Sequence, residues 1–168
     1  MQPDPVPGHE SPGMHIWGWM APAELDWLHA TAAEMDSVAE IGSLHGRSAY
    51  ALLSGCPGSV YCIDPWDDPA DESYASFMSS CGDFDNLRPV RGYSPAIASQ
   101  VPDVDMVFID GAHDYEQVRA DIEAWLPKTR KLICGHDYSH EGFSGVRQAV
   151  DEIFGDRVRP AVPRDRNY

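Results

Sequence analysis

The sequence predicts an α/β fold: a three-layer sandwich with helices on both faces of a mostly parallel sheet. Three observations predict it. Short apolar runs alternate with amphipathic segments from residue 22 onward. The runs "SVAEIG", "SVYCID" and "VDMVFID" have the length and composition of buried strands, and glycine or proline stops most of the segments between them. The 168 residues suffice for one domain with a real core but not for two. Residues 1–15, rich in proline and glycine, read as a flexible leader, and residues 16–168 as the domain.

The elements follow in order. "PAELDWLHATAAEM" has Pro22 at a first helical position and Leu25, Leu28 and Ala32 near helical spacing. "SVAEIG" (37–42) is a strand, and "GRSAYALLSG" a helix stopped by Gly55. "SVYCID" (59–64) is a strand that ends in an acid, and 69–82 a helix that ends at Gly82. "NLRPVRG" (86–92) is a weaker strand, placed at an edge by Pro89, which cannot donate to a ladder. "SPAIASQV" gives one or two helical turns, and "VDMVFID" (104–110) a strong strand. "YEQVRADIEAWL" (115–126) sets Val118, Ile122, Trp125 and Leu126 on one side of a helix that Pro127 ends. "RKLICGHD" is a strand, "GVRQAVDEIFG" (145–155) a helix, and "RVRPAV" (157–162) a last short strand.

Composition excludes several functions. The net charge of −15 argues against a nucleic-acid backbone footprint, which needs clustered Lys and Arg. No apolar run approaches the ~20 residues that cross a bilayer. The N-terminus lacks the basic start and apolar centre of a signal peptide, so a cytoplasmic location is expected. Cys56, Cys62, Cys81 and Cys134 form no CxxC pair; Cys62 and Cys134, within apolar runs, read as core thiols.

Right-handed crossovers bring the C-terminal ends of parallel strands to one rim, where ligands of open α/β sheets bind. "EIGSLHGRS" (40–48) follows the first strand. Its Gly42 and Gly46 permit close backbone approach, but the spacing is neither a dinucleotide fingerprint nor a phosphate loop. Asp64 ends the second strand 22 residues after Gly42, where an acid can accept two ribose hydroxyls. Asp67, Asp68, Asp71 and Glu72 read as solvated loop acids. "GYS" (92–94) follows the third strand and places a hydroxyl where it can face a base ring. Asp110 and His113 follow the fourth; His136, Asp137 and His140 follow the fifth. Carboxylates with imidazoles on neighbouring strand ends suit a divalent metal of the Mg, Mn or Fe type, or proton abstraction by imidazole. Trp17, Trp19, Trp66 and Tyr138 are candidates either for contact with an aromatic or sugar ring or for packing.

These runs together resemble the class I S-adenosylmethionine-dependent methyltransferases, over roughly residues 16–155. Within them the chain looks most like a small group whose fourth strand ends in "DGxHxY" and fifth in "HD", here "FIDGAHDY" and "GHDY". The resemblance implies a Rossmann-like sandwich. It implies that Glu40, Gly42, Ser43 and Gly46 wall the cofactor's methionine part, Asp64 binds its ribose, Tyr93 and Ser94 lie near its adenine, and Asp110 closes the site. A more distant resemblance to metal-dependent catechol-type O-methyltransferases implies His113 as the base, where that group has lysine. It also implies Asp110, His136 and Asp137 as metal ligands, where that group has Asp and an Asp-Asn pair. O-methylation of a small-molecule hydroxyl with divalent-metal assistance is therefore expected. A metal-dependent hydrolase or oxygenase, or a non-catalytic cofactor-binding module, stays open. The short C-terminus implies a sheet truncated at that edge, and an acceptor site that is open or completed by a second subunit.

Overall fold

The computed structural model describes residues 10–67 and 72–162. Its strands are β1 (Ser37–Ile41), β2 (Ser59–Asp64), β3 (Leu87–Arg91), β4 (Val104–Ile109) and β5 (Thr129–Gly135). Its helices are α1 (Pro22–Ala32), α2 (Arg47–Gly55), α3 (Ser73–Cys81), α4 (Tyr115–Trp125) and α5 (Ser144–Phe154). The strands pair in the order β3-β2-β1-β4-β5, and every pair is parallel.

Alternation along the strands divides the core into two apolar layers. Val38, Val60, Cys62, Met106 and Phe108 face α1, α2 and α3, where Leu25, Leu28, Leu52 and Phe77 close over them. Ala39, Ile41, Ile63, Val107 and Ile109 face α4 and α5, meeting Val118, Ile122, Trp125, Val146 and Ala149. Strand β4, buried throughout, contributes to both layers. The strand order reverses between β1 and β4, so the chain leaves these neighbours in opposite directions and a crevice opens beyond their C-terminal ends.

The structure departs from the sequence reading at several points. No last strand forms at 157–162: Gly155–Arg157 is a 3-10 turn and the described residues after it are irregular. Pro160 lacks a ladder donor, and Arg157 and Arg159 bond local carbonyls of Ile153 and Asp156 instead. Leu126 leaves the apolar face of α4, because Pro127 turns Leu126–Lys128 into a 3-10 segment; Leu126 is 38% exposed. Cys134 is only half-buried, since β5 is an edge strand, whereas Cys56 and Cys81 join Cys62 in the core. Trp66 is a core residue: its ring packs 4.7 Å from Phe77, and its Nε1 donates to Leu44 O. The start of the helix read at 69–82 and the acids Asp68 and Asp71 lie outside the described residues, as do residues 1–9 of the leader. Residues 10–15 already touch the domain: Ser11 is buried, and a Cβ on Gly13 would stand 2.2 Å from Arg47 O. No helix among the described residues is long and apolar enough to cross a membrane.

Candidate active site at the ends of β1, β4 and β5

The turn after β1 is built around close backbone approach. Gly42 has φ +92°, and a Cβ there would lie 2.2 Å from the carbonyl oxygen of Asp110. Gly46, at φ +97°, begins α2; its close neighbours are Cys81 Sγ and Phe77, so it serves packing against α3. Between them Leu44 takes φ +44°, a conformation that a branched side chain rarely adopts. Asp64 holds it there: Oδ2 accepts the Leu44 N–H at 3.0 Å, and Oδ1 accepts the Trp66 N–H at 2.9 Å. The carboxylate thus ties the glycine turn to the end of β2. A carboxylate has about four acceptor positions, so two stay available for hydroxyls.

Beneath the turn lies Glu40, fully buried in β1. Its Oε2 accepts the Ser43 hydroxyl at 2.6 Å, and Oε1 has no hydrogen-bond partner among the described residues. Burial pushes its pKa up to about 7 against the opposing pull of the Ser43 and Ser48 hydroxyls. A carboxyl whose folded pKa is raised stabilises the fold fully below its unfolded value, and that contribution is lost as pH rises through the folded pKa. Ligand-free protein is therefore expected to lose ~2–3 kcal/mol from this group between about pH 4.5 and 8. Glu40→Gln should remove that component. Thermal melts of the two proteins test this: a wild-type-minus-variant difference that stays flat across the window would sink the assignment.

The adenine-side residues behave differently from one another. Tyr93 is 63% exposed, and its hydroxyl donates to the Asp67 carboxylate at the rim. Ser94 turns inward: its hydroxyl donates to Asp121 Oδ1 at 2.5 Å and accepts the Trp125 Nε1–H at 2.8 Å. Gln117 Nε2 donates to Ser94 O at 2.7 Å. Ser94 thus fastens its loop to α4, and a ligand would meet the loop's backbone. The sequence reading missed Asp121, buried on α4; the signal was an acid on an otherwise apolar helix face.

The acids and imidazoles after β4 and β5 do converge. Asp110 N continues the ladder to Ile41 O, and His136 N to Ile109 O, which fixes both residues at the rim. His113 Nε2 lies 2.9 Å from Asp137 Oδ2, and its ring stacks on Phe143 with centroids 4.0 Å apart. His140 stacks on the same phenyl ring, at 4.4 Å. Asp137 sits at φ +61°, and its carboxylate lies between His113 and His136. Burial pushes Asp110 up to about 6, with Asp137 and Glu24 adding to the rise and His136 and His113 opposing it.

The expected ligand trio was Asp110, His136 and Asp137. The group that the fold gathers is Asp110, His113 and Asp137, whose donor atoms lie within 4.8 Å of one another. His136 borders that group: Nδ1 meets Asp137 Oδ1 at 3.2 Å and stands 3.8 Å from Asp110 Oδ1, while Nε2 meets Glu24 Oε1 at 3.2 Å. Burial works to lower its pKa, but bonds to Asp137 and Glu24 and the field of Asp110 push it up to about 11. Glu24 was also missed in the sequence. Its other oxygen accepts the Ala21 N–H at 2.8 Å, so one carboxylate caps α1 and reaches β5. Tyr138 donates to Asp151 on α5 at 2.7 Å, and the Arg147 guanidinium lies 5.3 Å from its ring centroid.

Comparison with known proteins gives the following. Residues 39–138, more than half of the chain, match a family model described as a methyltransferase domain. No curated protein matches the sequence. The fold resembles that of an O-methyltransferase from Bacillus cereus in complex with SAH, with TM-score 0.66 and 21% identity, covering 80% of this chain and 70% of that one. An O-methyltransferase of tomaymycin synthesis from Streptomyces achromogenes, in complex with SAM, gives TM-score 0.64 and 22% identity over 83% and 71% of the two chains. A precorrin 8w decarboxylase from Methanobacterium thermoautotrophicum gives TM-score 0.64 and 18% identity over 83% and 75%. These likenesses carry the fold, and the residues at the rim must carry the chemistry.

Proposed function

The chain belongs to the methyltransferase-domain family, and from that membership we propose that it transfers a methyl group from S-adenosylmethionine to an oxygen of a small-molecule acceptor, in the cytoplasm. One observation carries the choice of acceptor atom: an imidazole paired with a carboxylate, His113 with Asp137, stands beside the glycine turn at the point where strand order reverses.

The residues present fit the cofactor. Gly42 lets the turn approach Asp110 closely, Asp64 keeps acceptor positions for ribose hydroxyls, and Glu40 presents a buried oxygen without a partner among the described residues. S-adenosylmethionine supplies a methyl group on a sulfonium that is already a good leaving group. The protein's task is then alignment and proton removal. His113 donates from Nε2 to Asp137, which leaves the basic lone pair of the neutral ring on Nδ1. That nitrogen takes the acceptor's proton, and Asp137 stabilises the resulting imidazolium.

In a second arrangement the same side chains, Asp110, Asp137 and His113, would hold a divalent cation such as Mn or Fe, with His113 a ligand in place of the base. Such a cation would lower the pKa of an acceptor hydroxyl.

The test is thermal shift with S-adenosylhomocysteine, NAD and divalent metals. S-adenosylhomocysteine at a hundred times its Kd should stabilise the fold by about 2.7 kcal/mol, and NAD should do nothing. A shift with NAD alone would overturn the reading. Asp64→Ala should weaken S-adenosylhomocysteine binding by roughly 10–100-fold, since hydrogen bonds to a charged group are worth about 1.5–3 kcal/mol each. Calorimetry showing undiminished affinity removes the ribose role.

A further inference from the structure

Gln117, Asp121 and Trp125 of α4 join Ser94 of the loop after β3 in a network whose protons each have one direction. Trp125 Nε1 can only donate, and it donates to Ser94 Oγ at 2.8 Å. The Ser94 hydroxyl sends its own proton on to Asp121 Oδ1 at 2.5 Å. Gln117 Nε2 meets two atoms, Ser94 O at 2.7 Å and the same Asp121 Oδ1 at 3.2 Å. One is a backbone carbonyl and the other a carboxylate oxygen that already accepts, so both face the amide as acceptors. The neighbours therefore decide which way the Gln117 amide lies: its NH2 group points at them. The backbone of Gln117 is fixed as well, because the N-cap residue Asp114 accepts its N–H at 3.0 Å.

The consequence falls on the other end of the amide. None of the side-chain hydrogen bonds of Gln117 among the described residues uses Oε1, and Gln117 lines the same cleft as Asp64 and Asp110. A fixed acceptor thus stands on the cleft wall. Its place relative to the expected ribose acid follows from the backbone. Gly92 N donates to Asp64 O at 3.0 Å, so the loop that Gln117 holds begins beside that acid. Ser94 comes two residues later, at most about 7 Å along the chain, which is comparable with the reach of a nucleoside from its sugar to the far edge of its base. The two hydroxyls expected near the adenine are already engaged. Ser94 Oγ lies between Trp125 and Asp121, and the Tyr93 hydroxyl donates to Asp67.

We propose that Gln117 selects the base of the cofactor, its Oε1 accepting the exocyclic amine of adenine, and that Asp121 is the positioning residue that keeps the amide from turning over. The proposal rests on the methyl-transfer reading above and assigns the base specificity of that same site. A purine with a carbonyl in place of the amine, such as hypoxanthine, brings an acceptor against an acceptor. Turning the amide to suit it would set Oε1 against Ser94 O and Asp121 Oδ1 and strip both of a donor. A site built to hydrogen-bond one group rejects the analogue that lacks it, because the buried polar atoms are then left unpaired.

The experiment is calorimetry with S-adenosylhomocysteine and with S-inosylhomocysteine, the analogue in which a carbonyl replaces the amine. The proteins are wild type, Gln117→Ala, Asp121→Ala and Asp121→Asn. Wild type is expected to bind the adenosyl compound at least about tenfold more tightly than the inosyl one. Gln117→Ala should weaken the adenosyl compound by roughly three- to tenfold and the inosyl compound by less than about twofold, so that most of the discrimination disappears. A role in packing alone would weaken both ligands together and leave their ratio as it was. Asp121→Ala should lower the ratio, and Asp121→Asn, whose amide oxygen can stand where Oδ1 stood, should keep it. Equal binding of the two ligands by wild type overturns the proposal, as does the wild-type ratio in Gln117→Ala. The wild-type ratio in a folded Asp121→Ala removes Asp121 from it. Should Asp121→Ala fail to fold, as urea unfolding would show, Gln117→Ala decides alone, at a side chain that is only half-buried. Failure of wild type to bind S-adenosylhomocysteine at all overturns the methyl-transfer reading itself and this proposal with it.

Discussion

His113→Ala is expected to lower methyl transfer by about 10²–10⁴-fold, the usual range for loss of a general base, and to leave S-adenosylhomocysteine affinity unchanged. The separation of the two readouts follows from geometry. His113 contacts Asp137 and stacks on Phe143, whereas the expected cofactor residues Gly42, Glu40 and Asp64 are tied to Ser43, Leu44 and Trp66. The side chain is partly exposed, so its removal opens no core cavity and the fold should lose little stability. Added imidazole should restore part of the turnover, because a free base can occupy the vacated space; a residue that only propped Phe143 would give no such rescue. Single-turnover measurement separates chemistry from product release. A variant that turns over at the wild-type rate takes His113 out of the mechanism.

The sequence made the sheet legible because a parallel sheet buries both faces of its strands. β1, β2 and β4 are then apolar runs with nothing to confuse them, and Pro89 betrays β3 as an edge through a missing donor. Legibility fell where a residue's fate depends on something far along the chain. His136 and His113 are equivalent in local sequence terms: each is an imidazole beside an aspartate just past a strand. What separates them is Glu24, 112 residues away from His136, which reaches across from α1 and engages its Nε2. Ser94 likewise reads as a rim hydroxyl until Asp121 and Trp125, on a helix 27 and 31 residues later, take both its proton and its lone pair. Trp66 and Trp19 are both tryptophans near the rim, yet one is core and the other bare. Strand ends place residues on the rim, but which way each side chain turns is decided by partners that periodicity does not report.

Gly42→Ala is expected to be strongly damaging, and it fails for a reason that the glycine spacing does not announce. Glycine turns of this kind are read as room for a ligand. Here the nearest obstacle to a Cβ is the protein itself: Asp110 O at 2.2 Å, with Asp110 C and Gly111 Cα both at 2.7 Å. Gly42 also sits at φ +92°, so alanine would be strained even in open space. Relief requires β1 and β4 to part at their C-terminal ends, breaking the bond from Asp110 N to Ile41 O that extends the sheet to the rim. Strain of about 1–3 kcal/mol from the backbone conformation adds to that separation. The variant should lose several kcal/mol on this scale and lose S-adenosylhomocysteine binding, because Asp110 and the turn move together. Gly111→Ala is the control: its Cβ would meet nothing nearer than Ile41 Cγ2 at 3.5 Å, ordinary contact. Urea unfolding and calorimetry on the two variants decide the matter. If Gly42→Ala melts and binds like Gly111→Ala, the close approach of these two strand ends is not what shapes the crevice.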